Sequence, residues 1–394
     1  MLSEQQLGLI KATIPVLESA GPALTAHFYQ RLFSHHSQLQ HIFNMSNQKS
    51  GRQQLALFEA IAAYAKNIEN VSVLIGAVER IAQKHTSLNI QAEHYAIVGE
   101  HLLATLEELA PESFPQNVLA AWQSAYQVLA GIFIEREAQL YQERSNAAGG
   151  WRGPRAFKLI AKEVESELVT SFTFAPLDGL PVLDYVSGQY IGIEVKIPTA
   201  EFKEIRQYSL SQASNGQSYR ISVKRENTPF IGVVSNYLHD ELMLGDEVTL
   251  YPPSGEFFLV DRDAPVVLIS AGVGITPMMA MLDTLAKQEY KFPVSFLHAC
   301  NSLAQQSFAQ NTQALCQQLN AGHYVWYQHE HVENARHGTM QLNAVPLPIE
   351  LGDFYICGPI GFMQFAYQQL RELGVAASRI HYEVFGPHAN IFDH

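Results

Sequence analysis

A chain of 394 residues is longer than one hydrophobic core usually serves, so two or three domains are expected. Its 47% hydrophobic and 16% charged residues describe an ordinary globular protein, and a formal charge of -13 (25 basic against 38 acidic side chains) argues against nucleic acid or an acidic membrane surface as partner. Cys300, Cys316 and Cys357 are too few and too scattered for a disulfide framework or a thiolate metal site; with no basic leader followed by an apolar core and no apolar run of spanning length, a cytoplasmic protein is expected.

Glycine divides the chain: 6 of the 25 glycines fall in residues 1–146 and the other 19 follow, so a helical first part precedes a turn-rich remainder. Ser3 and Gln6 make a capping-box start, and Gly21-Pro22 predicts a second helix with Leu24, Phe28 and Leu32 on one stripe and Tyr29 beside it. A helix from near Gly51 places Gln53, Leu57, Ile61 and Tyr64 on one face. The next puts Leu74, Val78, Ile81 and His85 together, leaving an imidazole at the end of a buried ridge.

Two further helices carry the stripes Tyr95, Val98, Leu102, Leu106 and Trp122, Tyr126, Leu129, Phe133, Glu137. A carboxylate on an apolar stripe is buried and needs a partner, whereas Glu135, about 200° round the helix from Glu137, faces out. The glycine-rich stretch 146–154 is the natural hinge.

From Phe157 to about Leu259 the period becomes two, as in Ile191, Ile193, Val195 and Ile197, and the turns between short strands imply a small antiparallel barrel. In the extended run 205–210, Arg206 and Tyr208 share a face, one suited to a diphosphate and the other to a flat ring. Strict alternation turns Ser209 away, so its use beside that ring requires a bend; the bland alternative is a barrel strand with a surface arginine. Gly188-Gln189-Tyr190 precedes another strand, and Gly232, Val234 and Ser235 lie where a helix opens, with Ser235 as its expected cap.

Val266 to Ser270 reads as a buried strand, followed by Ala271-Gly272-Val273-Gly274-Ile275-Thr276-Pro277 and an apolar helix from Met278, an anion seat for a nucleotide diphosphate. Pro277 breaks the G-x-G-x-x-G fingerprint. Strands at 294–297, 324–327 and 354–356 alternate with helices to give a parallel sheet, and Cys357-Gly358-Pro359 ends one of them where ligands gather.

The set His85, Tyr95 and Glu137 on successive helices, with Tyr29, Phe43, Gln53 and Leu57 before them, resembles the globin domain of bacterial flavohaemoglobins. The flavin and nicotinamide motifs follow in that family's order over essentially the whole chain. The resemblance implies an all-α globin domain at 1–146, an antiparallel β-barrel FAD domain at 147–260 and a ferredoxin-reductase-like α/β nucleotide domain at 261–394, with haem b, FAD and NAD(P)H as cofactors. It implies His85 as the iron ligand, with Glu137 and Tyr95 holding its other nitrogen so that ligand basicity rises. On the distal side it implies Tyr29 donating to bound dioxygen, Gln53 nearby, and Leu57 and Phe43 as walls.

Lys84 would face the flavin edge. Arg206, Gln207, Tyr208 and Ser209, with Tyr190, Gly232, Val234 and Ser235, would hold FAD. The segment 272–277 and Cys357, Gly358 and Pro359 would hold the dinucleotide. In the closing Glu383-Val384-Phe385-Gly386-Pro387, Phe385 would cover the flavin and Glu383 support Ser209. No function attaches to the tail after Pro387.

The activity so implied is nitric oxide dioxygenation, turning nitric oxide and dioxygen into nitrate with electrons from NAD(P)H through FAD to haem. A gas sensor or oxygen carrier with an attached reductase, or a plain flavin reductase with a degenerate helical partner, are the alternatives. The absence of Lys and Arg from 298–307 favours NADH over NADPH. A monomer with no obligate protein partner is expected, and a lipid in the distal pocket is compatible with the resemblance.

Overall fold

A computed structural model describes residues 2–43, 52–198, 200–228 and 231–386, apart from the side chains of 20, 22, 52–56 and 58. The chain forms two units, residues 1–146 with 194–206, and residues 147–193 with 207–394.

The first unit is helical. Helix α1 (Glu4–His35) starts with the expected box: Ser3 Oγ accepts from the Gln6 amide at 3.2 Å and Gln6 Oε1 from the Ser3 amide at 2.9 Å. It runs through Gly21-Pro22, so the second helix expected there does not exist as a separate element. A proline removes one intrahelical donor without forbidding the helix, and the Thr25 hydroxyl bonds the Gly21 carbonyl at 2.6 Å within the same turn. Helices α2 (Arg52–Lys66), α3 (Ile75–Ser87), α4 (Ala92–Leu109) and α5 (Gln116–Asn146) follow. Leu74 lies outside α3, closing a 3₁₀ turn (Val71–Leu74) that leads into it.

Phe28, Leu32, Ile61, Tyr64, Leu102, Leu106 and Trp122 form the main core of this unit. Ala82, Phe133 and Leu140, with Val78, Ile81, Tyr95 and Leu129, form a smaller one under α3. The stripes read from the sequence therefore meet one another.

Six strands form an antiparallel sheet: β1 (Arg155–Val164), β2 (Val169–Pro176), β3 (Tyr190–Val195), β4 (Glu204–Ser209), β5 (Tyr219–Lys224) and β6 (Glu247–Leu250). Their order is β4-β3-β6-β1-β2-β5, and the bridge Leu210↔Ile221 joins its two ends into a barrel. Phe157, Phe172, Phe174, Ile191, Ile193, Tyr219 and Leu250 are wholly buried, as alternation predicts for an inward face. Helix α6 (Val233–Asp240) interrupts the strands.

The parallel sheet contains β7 (Val266–Ala271), β8 (Val294–Cys300), β9 (Gly322–Tyr327), β10 (Arg336–His337), β11 (Asp353–Cys357) and β12 (Ile380–Glu383), in the order β10-β9-β8-β7-β11-β12. Helices α7 (Ile275–Lys287), α8 (Ala309–Leu319) and α9 (Ile360–Glu372) cover it. Val266, Leu268, Phe296 and Tyr355 join Met278 and Met281 on one face, while Val267, Ile269, Leu297 and Phe354 join Met363 and Leu370 on the other. Burial on both faces explains the unbroken apolar run of β7. Among the described residues, no helix is long and apolar enough to cross a membrane.

Candidate functional site: an imidazole relay and two nucleotide seats

Helix α3 carries His85 in its last turn. The helix stops two residues later, where Asn89 takes φ 58, a left-handed conformation that asparagine tolerates, and the Ile90 amide folds back to the His85 carbonyl at 3.0 Å. The imidazole Nδ1 lies 2.8 Å from Glu137 Oε1 and 2.9 Å from the Tyr95 hydroxyl, and Tyr95 donates its own proton to the same Glu137 oxygen. Glu137 is 3% exposed, so the carboxylate on the apolar stripe is buried and has its partners.

Because Tyr95 donates to Glu137, the proton shared with the imidazole belongs to Nδ1. A neutral ring then carries its lone pair on Nε2. Among the described residues Nε2 has no hydrogen-bond partner. Burial, and next the Glu137 charge, push the Tyr95 phenol far up, so it stays a donor. Glu135 is exposed, as expected.

Elsewhere in this unit Tyr29 is buried, its ring stacked on Phe33 at 5.8 Å and edge-on to Phe43 at 5.7 Å. Leu57 and Phe43 join the same core cluster, half-buried. The Gln53 side chain lies outside the described residues. Lys84 is half-buried beside His85.

Tyr126, read from the sequence only as a member of an apolar stripe, also holds this arrangement. The Tyr126 hydroxyl donates to the Tyr95 carbonyl at 2.7 Å, and its ring crosses α4 where a Cβ on Gly99 would meet it at 2.4 Å. Only glycine admits that ring. Gly99→Ala is expected to displace Tyr126 and lower stability by about 1–3 kcal/mol. Urea unfolding checks this, and an unchanged midpoint would show that the ring moves freely.

In the barrel, the strand holding Arg206, Gln207 and Tyr208 ends at Ser209. Just beyond it the Leu210 amide donates to the Gln189 carbonyl, next to the start of β3, at 3.0 Å, and the Ser211 amide to the Arg220 carbonyl of β5 at 2.9 Å. Ser209 is buried and its hydroxyl makes no hydrogen bond among the described residues, so the support expected from Glu383 is not made here. Arg206 is held by Glu204 at 2.9 Å and by its neighbour's carbonyl, that of Ile205, at 2.8 Å.

Ser235 does not cap α6. Gly232 occupies the cap with no side-chain bond, and Ser235, a turn further in, donates to the Gly232 carbonyl at 3.2 Å and accepts from the Glu226 amide at 3.3 Å. The first turn of α6, with Val234 buried in it, thus keeps amides without a side-chain cap, which suits an anion. Tyr190 is half-buried at the start of β3.

In the parallel sheet, β7 passes into a 3₁₀ turn (Gly272–Gly274) and α7 begins at Ile275, not Met278, so Thr276 and Pro277 lie in its first turn. Proline costs little there, since that amide has no helical acceptor. Thr276 donates to the Val273 carbonyl at 3.0 Å. Cys357 ends β11, level with Ser270 on one neighbour and Glu383 on the other. Burial, then Glu383, raise its thiol well above the usual range, which keeps it protonated. Gly358 precedes Pro359, which opens α9, and Val384 is buried while Phe385 is exposed. Pro387 lies outside the described residues.

His298, level with Ser270 and 2.9 Å from its hydroxyl, is pushed down to about 3 by burial and secondarily by His323. The folded state therefore binds fewer protons than the unfolded one between about pH 3 and 6.5. The stability contributed by neutral His298 is present above 6.5 and is lost as pH falls, by up to about 1.4 kcal/mol per unit. Thermal unfolding followed from pH 7 to 5 should decline, and His298→Gln should flatten that limb; parallel curves would contradict this.

A helical unit with an oriented imidazole, followed by a flavin-type barrel and a parallel nucleotide sheet, defines a globin joined to an oxidoreductase of the flavin-and-nicotinamide class. Family comparison agrees: residues 26–133 match the globin model, 156–259 the oxidoreductase FAD-binding domain and 268–368 the oxidoreductase NAD-binding domain. A flavohemoprotein of Vibrio cholerae is 60% identical over 393 residues, spanning 99% of this chain and 100% of that one.

Among solved structures, the FAD/NAD-binding domain of a nitric oxide dioxygenase from Vibrio cholerae is 56% identical, covering 59% of this chain and 99% of that one with TM-score 0.58. A flavohemoglobin of Malassezia yamatoensis with bound FAD and heme is 26% identical, covering 98% and 100% with TM-score 0.87. The chain belongs to the flavohemoprotein family.

Proposed function

We propose that this protein is an NAD(P)H-dependent nitric oxide dioxygenase that converts nitric oxide and dioxygen to nitrate. Residues 1–146 would carry haem b, 147–260 FAD and 261–394 the dinucleotide. The single observation that carries the reading is the His85 ring, whose Nδ1 proton is committed to Glu137 and whose Nε2 has no hydrogen-bond partner among the described residues. The name and substrate of the nitric oxide dioxygenase relative point the same way.

The residues present fit the three groups. His85 Nε2 would offer a nitrogen to the iron, the uncapped first turn of α6 and the Ser209 hydroxyl, without a hydrogen bond among the described residues, would suit a flavin dinucleotide, and the 272–274 turn opening α7 would suit a second diphosphate. When bound, the nicotinamide supplies a hydride, the flavin divides it into single electrons, and the haem brings oxygen to nitric oxide.

The chain's own contributions are positional and electrostatic. Glu137 holds the imidazole proton and so raises the basicity of Nε2, while Tyr95 locks the carboxylate oxygen in place. Tyr29 would offer its hydroxyl to dioxygen, and Phe43 and Leu57, packed in the same core, would keep that side apolar. Arg206 and Tyr208 would serve the flavin, Cys357 would lie as a neutral thiol by the nicotinamide, and Phe385 would cover the flavin ring. Replacing Tyr29 by Phe should leave haem content intact and speed oxygen release; an unchanged off-rate would remove Tyr29 from this role.

NADH is the preferred donor. The loop after β8 carries no Lys or Arg that could hold a 2′-phosphate, and Glu330 accepts from its Leu303 amide at 2.8 Å, so the charge fixed to this loop is negative. A ratio of catalytic efficiencies of roughly tenfold or more is expected, about 1.4 kcal/mol of discrimination. Equal efficiencies would reject the preference. Three free, buried cysteines suit a reducing, cytoplasmic setting, and a monomer is the expected form.

The deciding experiment supplies NADH, nitric oxide and oxygen and counts nitrate over many turnovers. A gas sensor or oxygen carrier would bind without turnover, and a plain flavin reductase would show no Soret band.

A further inference from the structure

We propose that Arg144 is a positioning residue for the His85 imidazole, acting through the residues on either side of it. Helix α5 presents Glu137, Tyr141 and Arg144 at spacings of four and three, one face of one helix. Glu137 takes the imidazole proton at 2.8 Å. Tyr141 donates to the Ile90 carbonyl at 2.7 Å, and Ile90 is the residue whose amide closes the end of α3 on the His85 carbonyl. Arg144, 9% exposed, spreads its two terminal nitrogens over α3: one donates to the Thr86 hydroxyl at 2.6 Å and the other to Gln83 Oε1 at 2.5 Å.

Both acceptors are themselves fixed. Thr86 donates to the Gln83 carbonyl at 2.9 Å, and Gln83 donates to Glu79, which Arg136 holds at 2.6 and 3.1 Å. Positions 83, 86 and 90 flank the imidazole, so the helix bearing it is held against rotation and sliding on the same rigid element that carries its acceptor.

The geometric consequence is specific. An α-helix free to rotate by a small angle would move Nδ1 off Glu137 Oε1 before losing any backbone bond, because side-chain displacement grows with distance from the axis. A planar two-pronged guanidinium resists rotation as a single point charge does not, and both prongs here end on α3. The orientation of the imidazole, and with it the basicity of Nε2, is therefore set jointly by Glu137 and Arg144. This rests on His85 being the iron ligand.

The test uses the full-length protein with haem and flavin bound. Arg144→Met keeps an unbranched apolar stem in place of the arginine's aliphatic part and removes every donor. Haem content and flavin reduction by NADH should be retained, while the ferrous iron–histidine stretching band moves to lower frequency and broadens. Amide exchange over residues 83–90 should speed up roughly tenfold or more, the effect of losing charge-assisted hydrogen bonds on local opening. Thr86→Val, which removes one acceptor, should shift the band in the same direction by less, and adding it to Arg144→Met should change nothing further.

A band in Arg144→Met that superimposes on the parent, or shifts that add independently in the double variant, would overturn the proposal. Should Arg144→Met fail to retain haem, Thr86→Val alone decides, and an unshifted band there overturns it. If the parent lacks an iron–histidine band, or His85→Ala keeps it, the ligand assignment falls and the clamp with it. An unshifted Arg144→Met beside a normal parent sinks the clamp alone.

Discussion

Glu137→Leu should lower the unfolding free energy of the helical unit by about 3 kcal/mol or more, and Glu137→Gln by clearly less. The carboxylate is 3% exposed and accepts from both His85 and Tyr95. Leucine fills the space but strands the Tyr95 O–H away from water and leaves the imidazole N–H only the Tyr95 oxygen, 2.9 Å away, so the charge-assisted bonds are lost and the unmet donor carries its desolvation cost. Glutamine keeps one acceptor oxygen, so a proton from Tyr95 or His85 still finds a home, without the charge that made both bonds strong.

Urea denaturation followed by helical circular dichroism measures the stability difference. The iron–histidine stretch measures the electronic one, and should fall in frequency in both variants. If leucine and glutamine proved equally mild, Glu137 would be a passive core residue, and the relay would have to be sought elsewhere.

Much of this was open to a reading of the sequence because the relevant signals are local. Scarce glycine in the first third, a change of period near Phe157 and a fully apolar β7 are consequences of which faces are buried, and each matches the observed helices, barrel and parallel sheet. Glu137 stood out because a carboxylate on an apolar stripe is costly unless paired, and the structure pairs it.

The misreadings came where a residue preference meets tertiary context. Pro22 is a helix breaker by preference, yet α1 continues through it because the rest of the stripe is buried on both sides. Ser235 is a favoured cap by type, but Gly232 takes the cap because a side chain there would collide with Ser235 Oγ at 2.4 Å. Arg144 escaped notice because the stripe was closed at Glu137. Carrying the same spacing on by four and three reaches Tyr141 and then Arg144, a basic residue on a buried face that signals a partner as plainly as the carboxylate did.

The nucleotide end of the molecule offers the second large effect. Gly274→Ala should raise the KM for NADH by roughly tenfold or more and slow flavin reduction, while carbon monoxide binding by the reduced haem stays as in the parent. A Cβ at 274 would lie 2.3 Å from the Cys357 carbonyl oxygen and 2.6 Å from the Gly358 nitrogen. Those are backbone atoms at the end of β11, where β7 and β12 pair on either side, so they cannot swing aside as a flexible side chain would. The start of α7 must then lift off the sheet, and the turn that points its amides at a diphosphate lifts with it.

Gly272 provides the contrast. It sits at φ +53, where any other residue is strained by roughly 1–2 kcal/mol, but a Cβ there meets nothing within 4 Å. Gly272→Ala should therefore cost some stability and little affinity, and Gly274→Ala should lose much of the affinity. Stopped-flow reduction by NADH distinguishes them. If the two variants ranked the other way, left-handed backbone freedom and not close approach to Cys357 would be what the dinucleotide turn demands.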